Sequence, residues 1–198
     1  MYVRKDSYYR LAKQKGYRSR ASFKLQQLNN SYKIINKNDL VLDIGASPGG
    51  WMQVILELIG AKGVVVGIDL LDVQPLNHKN SFFLKGDILE PGIREKALSK
   101  IANKKFDAIV SDLSVNLSGN TDTDIYRNFS LVKNIIGFLN ELLKSNGNFL
   151  IKLFYSTELK PYLKEIEHLF KSVYITKPDA SRNSSSELYM IGKGFKIE

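Results

Sequence analysis

Cysteine is absent from the chain. That removes disulfides, thiolate zinc sites and a cysteine nucleophile together. Histidine is nearly absent too, with only His78 and His168, so a histidine-ligated metal site or a serine–histidine triad has little to draw on and no metal is expected. No apolar run reaches the roughly eighteen residues that a membrane-spanning helix needs. The N-terminus opens on Lys, Asp and Tyr instead of a basic flank followed by an apolar stretch, which argues against a secretory signal and for a cytoplasmic protein. Acidic residues are in short supply as well: 20 Asp and Glu face 29 Lys and Arg, for a formal charge of +9. With 198 residues, 43% of them apolar, the chain has enough material for one domain around a sizeable core and little for a second. A single domain over residues 1–198, acting as a monomer, is the expectation.

The positive balance points to a polyanion, because each Lys or Arg that meets a phosphate releases condensed counterions. Its distribution sharpens this. The segment from Arg4 to Lys24, RKDSYYRLAKQKGYRSRASFK, is dense in Lys and Arg with Asp6 as its single acid. It is interleaved with Tyr8, Tyr9, Tyr17 and Phe23, a mixture suited to phosphate contact and base stacking. A basic helical RNA-binding segment over about residues 1–30 follows, with Arg18 and Arg20 among the expected phosphate contacts. The competing reading is a solvated amphipathic helix.

Beyond this opening, apolar runs alternate with stretches of helical spacing. The runs are VLDIG at 41–45, VVVGIDL at 64–70, SFFLKGDI at 81–88, FDAIVSDLS at 106–114 and NFLIKLF at 148–154. Strands of a parallel sheet are buried on both faces and read as continuous Val/Ile/Leu runs. Helices are expected over Trp51–Ile59, Ile93–Ala102, Arg127–Leu143 and Leu159–Phe170. A last pair, SVYITK at 172–177 and ELYMIGKG at 187–194, reads as closing antiparallel strands. The fold class is therefore α/β, a Rossmann-like, mostly parallel seven-stranded sheet flanked by helices.

The sharpest motif leaves the first strand and enters the first helix of this alternation: Asp43-Ile44-Gly45-Ala46-Ser47-Pro48-Gly49-Gly50-Trp51. Glycines in such a turn let backbone approach a ligand at the carboxyl edge of the sheet. No Gly-Lys-Ser/Thr follows, so the lysine that a triphosphate site needs is missing. Acidic residues instead stand at successive strand ends: Asp43, Asp69, Asp87 and Asp112. Four carboxylates would repel a pyrophosphate, which weakens an NAD-dependent oxidoreductase as a rival. They suit a cationic cofactor without phosphate, and S-adenosyl-L-methionine fits. Asp69, roughly twenty residues past the glycine turn, is suited to the ribose hydroxyls. Asp87, with the backbone of Ile88, is suited to the adenine amine, and Gly45, Gly49, Gly50 and Trp51 to the pocket wall.

At the remaining strand ends the candidate for chemistry is Lys152, a lysine inside the apolar strand FLIKLF. Burial disfavours an ammonium, so such a lysine can serve as a base or stabilise a developing alkoxide. The bland alternative is a lysine that extends from a strand edge to solvent.

At this point the residues carry a resemblance. YRSRASFKL around Lys24, LDIGASPGGW, GIDLLD, KGDI, SDLSVNLSG around Asp112, IKLF around Lys152 and KPDASRNSSSELY around Glu187 are similar, in order, to the FtsJ/RrmJ family of ribose 2′-O-methyltransferases. The resemblance implies a catalytic Lys24–Asp112–Lys152–Glu187 tetrad, S-adenosyl-L-methionine as cofactor, and ribosomal RNA or the large ribosomal subunit as partner, with a uridine ribose as target; chemically, Asp112 would also sit near the positive end of the cofactor. Ser47 in the glycine motif and Val115 in SDLSVNLSG depart from common family patterns at positions outside the tetrad. The tetrad is sensible chemically: a ribose hydroxyl is a poor nucleophile, and a lysine oriented by acids can take its proton or stabilise charge on its oxygen. Arg182, beside the Ser-rich loop, would grip RNA from the side opposite the basic segment. Methylation of tRNA or an mRNA cap, and a non-catalytic RNA-binding assembly protein, are the alternatives.

Overall fold

The unbroken Val/Ile/Leu runs become the strands of one sheet. In the computed structural model, which describes residues 7–113, 121–156, 159–182 and 184–197, these are β1 (Leu40–Ile44), β2 (Val64–Asp69), β3 (Ser81–Lys85), β4 (Phe106–Ser111), β5 (Leu143–Phe154), β6 (Phe170–Thr176) and β7 (Glu187–Phe195). Their order across the sheet is β3-β2-β1-β4-β5-β7-β6. Neighbouring strands from β3 to β5 are parallel, while β7 runs antiparallel to both β5 and β6. The helices are α1 (Ser7–Gln14), α2 (Ser22–Tyr32), α3 (Gly50–Ile59), α4 (Pro91–Ser99), α5 (Thr121–Gly137), the single turn α6 (Leu139–Leu142) and α7 (Leu159–Ile166), which continues as a 3₁₀ turn over Glu167–Leu169.

Period-2 alternation along the central strands divides the core in two. Leu42, Ile44, Ile109 and Ile151 face α4 and α5, whereas Val41, Ala108, Val110 and Leu150 face α2 and α3. The chain order reverses between β1 and β4, where successive crossovers leave in opposite directions. An open crevice forms at the carboxyl ends of strands at such a switch point. Helix α2 is held on the second face by Leu25 and Leu28, both buried with Val54 and Ile55 of α3 in one cluster. Its exit is fixed by buried Asn29, whose amide accepts from Ile35 N–H at 2.8 Å and donates to Ile35 carbonyl at 3.2 Å. That anchoring brings Lys24 over the sheet.

Several boundaries differ from the sequence expectation. The basic opening is two helices: Gly16, at φ 73°, ends α1, and Tyr17 N–H closes back on Ala12 carbonyl at 2.8 Å. The helix expected over Arg127–Leu143 starts at Thr121 and stops at Gly137, and Leu143 already belongs to β5. The early part of β5 is irregular, with Asn146 at φ 62° and a register shift opposite Phe106 and Ala108, so no continuous apolar run advertises it. Strand β3 ends at Lys85, and Gly86-Asp87-Ile88 leaves the sheet to border the crevice. Phe170, expected to end the last helix, is the first residue of β6. Most of SDLSVNLSG, including Val115, lies outside the described residues.

Candidate active site

A cleft of about 490 Å³ opens at the switch point, bordered by the ends of β1, β2, β3 and β4. Gly45, Asp69, Asp87, Ile88 and Asp112 line it, together with Ser47 and the exposed apolar residues Leu70, Leu71 and Leu89. Asp69 is locked by its surroundings: one carboxylate oxygen accepts from Ser47 N–H and the other from Leu71 N–H, each at 2.8 Å. Asp87 accepts from Leu89 N–H at 2.9 Å. A carboxylate offers about four acceptor positions, so both acids are oriented and still have capacity for a diol or an amine. Leu70 and Leu71, 64% and 67% exposed, form an apolar rim of the kind that a planar ring covers.

Asp43, expected among the cofactor residues, precedes Ile44 of the lining on β1 and is not itself part of that lining: it has no exposure, and neither carboxylate oxygen has a hydrogen-bond partner. Burial, reinforced by the charges of Asp112 and Asp69, pushes its carboxyl well above the usual carboxylate range. An unpartnered buried carboxyl is costly unless a ligand completes it. The lining itself fits S-adenosyl-L-methionine: Asp69, Asp87 and Asp112 are acceptors for a diol, an exocyclic amine and a positive centre, and among the described lining residues there is no cation for a phosphate.

The other face of the same edge holds the four tetrad positions. Lys24 Nζ lies 2.6 Å from Glu187, and Lys152 Nζ lies 3.2 Å from the Asp112 carboxylate while donating to the Asp112 carbonyl at 2.6 Å. Both lysines are buried, at 8% and 6% exposure, so each pair is shielded from screening by solvent. The sheet explains the gathering. In the β5–β7 register Lys152 stands opposite Tyr189 and Phe154 opposite Glu187, so Lys152, Tyr189 and Glu187 share one face. Asp112, just past β4, lines the cleft and also touches Lys152, which joins the two halves of the site.

Tyr189 was not anticipated. Its hydroxyl donates to Asp112 at 2.7 Å, and Lys24 Nζ lies 5.7 Å from its ring centroid. Burial first, then the charges of Asp112 and Glu187, raise the Tyr189 phenol well above its ordinary range, which keeps it a donor. The signal in the sequence was the period of two from Glu187 along a strand.

Other expected site residues lie elsewhere. Trp51 is buried against Tyr189, with ring centroids 6.2 Å apart, and its indole N–H donates to Ala21 carbonyl at 2.8 Å; it is not part of the cleft lining. Gly49 and Gly50 likewise face the protein itself. A Cβ on Gly49 would lie 2.7 Å from the Arg18 guanidinium, and one on Gly50 would lie 2.4 Å from Ser19 Oγ. Their smallness admits the N-terminal segment, whereas Gly45 remains at the cleft. Arg18, expected on phosphate, donates instead to the carbonyls of Pro48, Gln74 and Pro75. Tyr17, expected among stacking residues, donates to Glu57, and burial with that neighbour pushes its phenol up to about 12. Arg20 and Arg182 do converge: with Lys24, Ser185 and Glu187 they border a second cavity of about 170 Å³ beside the tetrad.

Comparison with known proteins agrees with this geometry. The FtsJ-like methyltransferase family profile matches residues 17–195. The protein named ribosomal RNA large subunit methyltransferase E from Methanocaldococcus jannaschii is 45% identical over 97% of this chain and 79% of its own length. Its namesake from Methanothermobacter thermautotrophicus is 42% identical over 98% of this chain and 91% of its own length. Among solved structures, one described as a ribosomal RNA methyltransferase from Plasmodium falciparum superposes with a TM-score of 0.81 at 30% identity, covering 92% of this chain and all of that one. Fibrillarin from Aeropyrum pernix, solved with natively bound S-adenosyl-L-methionine, shares the fold at a TM-score of 0.61 and 14% identity, covering 89% of this chain and 75% of that one. A cleft with cofactor-type carboxylates, a buried lysine joined to it through Asp112 and a family match across the described sheet lead to one conclusion: the chain belongs to the FtsJ-like methyltransferase family.

Proposed function

We propose that this S-adenosyl-L-methionine-dependent methyltransferase acts on a ribose 2′-hydroxyl of large-subunit ribosomal RNA, a uridine being the target nucleoside, and that it works as a cytoplasmic monomer. The observation that carries the reading is Asp112, which borders the cofactor cleft and holds Lys152 at the same time. Bound in the cleft, S-adenosyl-L-methionine supplies a methyl group already activated by its sulfonium. The residues that would hold it are Asp69 at the ribose diol, Asp87 with the Ile88 backbone at the adenine amine, and Asp43 at the ammonium.

What the chain must add is orientation and charge control at O2′. Lys152 Nζ is engaged by the Asp112 carbonyl and carboxylate, which restrains a long side chain that would otherwise sample many rotamers. One tetrahedral position of the nitrogen remains, and there Lys152 donates to the 2′ oxygen and stabilises the charge that grows on it during attack. The Tyr189 hydroxyl donates to the same Asp112 carboxylate oxygen that Lys152 meets and holds it in place. Lys24 and Glu187 hold the ribose hydroxyls, and Arg20 and Arg182 contact phosphates flanking the target.

The test is single-turnover transfer of labelled methyl groups to isolated large subunits and their RNA, with ribose methylation mapped on the product. Lys152→Ala should lose about 10²–10⁴ in rate while cofactor and RNA binding persist. A folded Lys152→Ala protein with undiminished rate would overturn the assignment. Methylation on a base, or only on tRNA, would overturn the substrate.

A further inference from the structure

Two segments without helix or strand meet at the cofactor cleft: the glycine turn over residues 45–49, whose Gly45 and Ser47 line it, and residues 70–80, which connect β2 to β3 and whose Leu70 and Leu71 line it. Asp69 sits between them. Ser47 reaches across, through its N–H to Asp69 at 2.8 Å and its hydroxyl to Asp72 carbonyl at 3.5 Å. Behind them, outside the cleft, lies Arg18. One of its terminal nitrogens donates to Pro48 carbonyl at 3.3 Å and to Gln74 carbonyl, and the other donates to Pro75 carbonyl at 2.9 Å.

The backbone that carries Arg18 is held as well. Arg18 N–H donates to Gln53 Oε1 at 2.8 Å, and Gln53 Nε2 donates to Gly16 carbonyl at 2.9 Å, which clips this stretch of chain onto α3. Gly49, at φ 102°, gives way to the guanidinium, since a Cβ there would meet Arg18 Nη1 at 2.7 Å. Three backbone carbonyls on one planar fork is a cross-brace. A side chain meant for phosphate is poorly served by giving so many of its five N–H groups to its own fold.

We propose that Arg18 is a positioning residue for the cofactor site and not an RNA contact: it ties the glycine turn to the β2–β3 connection and so sets the spacing in which Asp69, Leu70 and Leu71 meet the adenosyl group. The proposal rests on the cleft being the S-adenosyl-L-methionine site. Because Arg18 is not part of the cleft lining and contacts backbone behind it, its loss acts on cofactor affinity and leaves the chemical step of the saturated enzyme in place.

The experiment measures KM for S-adenosyl-L-methionine, kcat, and the salt dependence of RNA affinity in wild type, Arg18→Gln, Arg18→Lys and Arg20→Gln. Arg18→Gln should raise the cofactor KM by about tenfold or more, the loss expected when charge-assisted hydrogen bonds disappear. Arg18→Lys should fall between, because an ammonium cannot span the three carbonyls as a planar fork does. For both, kcat at saturating cofactor should stay within about threefold of wild type. The slope of log RNA affinity against log salt should be unchanged in the Arg18 variants and reduced in Arg20→Gln. If Arg18→Gln is too unstable to assay, Arg18→Lys carries the test: a raised cofactor KM with kcat and salt slope kept supports the brace, and a wild-type cofactor KM in the folded protein overturns it. A wild-type cofactor KM in Arg18→Gln, or a reduced salt slope, also overturns it. Wild-type enzyme that binds no S-adenosyl-L-methionine would instead remove the reading of the cleft, a different result from unequal variants of a binding protein.

Discussion

With Asp43 at the cofactor's ammonium, as proposed above, cofactor affinity should depend on pH, and its direction follows from the burial of that carboxyl. It is fully buried, its oxygens lack partners, and its carboxyl is raised above the ordinary range by burial and by the charges of Asp112 and Asp69. A carboxyl whose folded value exceeds its unfolded one contributes stability that is fully present below the unfolded value, about 3.9, and lost as pH rises through the folded value. The cofactor-free protein should therefore become less stable across that upper range, and Asp43→Asn, which cannot ionise, should remove the loss. Cofactor affinity should move the opposite way. An ammonium beside Asp43 favours the carboxylate, so binding expels the carboxyl's proton, and affinity rises by up to about tenfold per pH unit until Asp43 is ionised in the free protein. Above that point Asp43→Asn should weaken binding by about 1.5–3 kcal/mol, the loss of a charge-assisted hydrogen bond. Calorimetry in buffers of differing ionisation enthalpy reads the expelled proton directly, and thermal denaturation against pH reads the stability arm. A pH-independent affinity with no proton released, or equal binding by Asp43→Asn at high pH, would refute the reasoning.

Asp69→Ala removes both the acceptor for a diol and the latch for Ser47 and Leu71 N–H, so calorimetric affinity for S-adenosyl-L-methionine should fall by at least about 1.5–3 kcal/mol. Lys152→Arg keeps the positive charge, and partial recovery of the single-turnover rate over Lys152→Ala is expected; an arginine variant as inactive as alanine would make Lys152 the base instead. Tyr189→Phe deletes the hydroxyl that steadies Asp112, and kcat should drop several-fold with the cofactor KM little changed, while chemical denaturation should show a loss of about 0.5–1.5 kcal/mol.

Much of this enzyme is written locally. The strand runs are continuous because a parallel sheet is buried on both faces, and the acids at their ends follow from where such a sheet opens, so Asp69, Asp87 and Asp112 could be assigned to a cleft before any coordinates. Lys152 stood out in the same way, as a lysine inside an otherwise apolar strand. Boundaries were less legible where local pattern breaks: β5 begins in the irregular stretch around Asn146, and Phe170 is equally at home in a helix end or a strand. What only the tertiary structure decided is which partner each side chain meets. Gly49 and Gly50 read as ligand-facing, yet their lost side chains make room for Arg18 and Ser19, residues distant in sequence. Trp51 could be given to the pocket, but it is spent on Tyr189 and Ala21 once α2 packs on α3. Tyr189 reaches the site only because β7 inserts beside β5 in a register that sets it opposite Lys152. Arg18 looks like any phosphate-binding arginine until the fold brings three carbonyls to it. Residue type and periodicity follow from nearest neighbours along the chain, whereas a hydrogen bond between residues dozens of positions apart exists only after the sheet has fixed the distance between them.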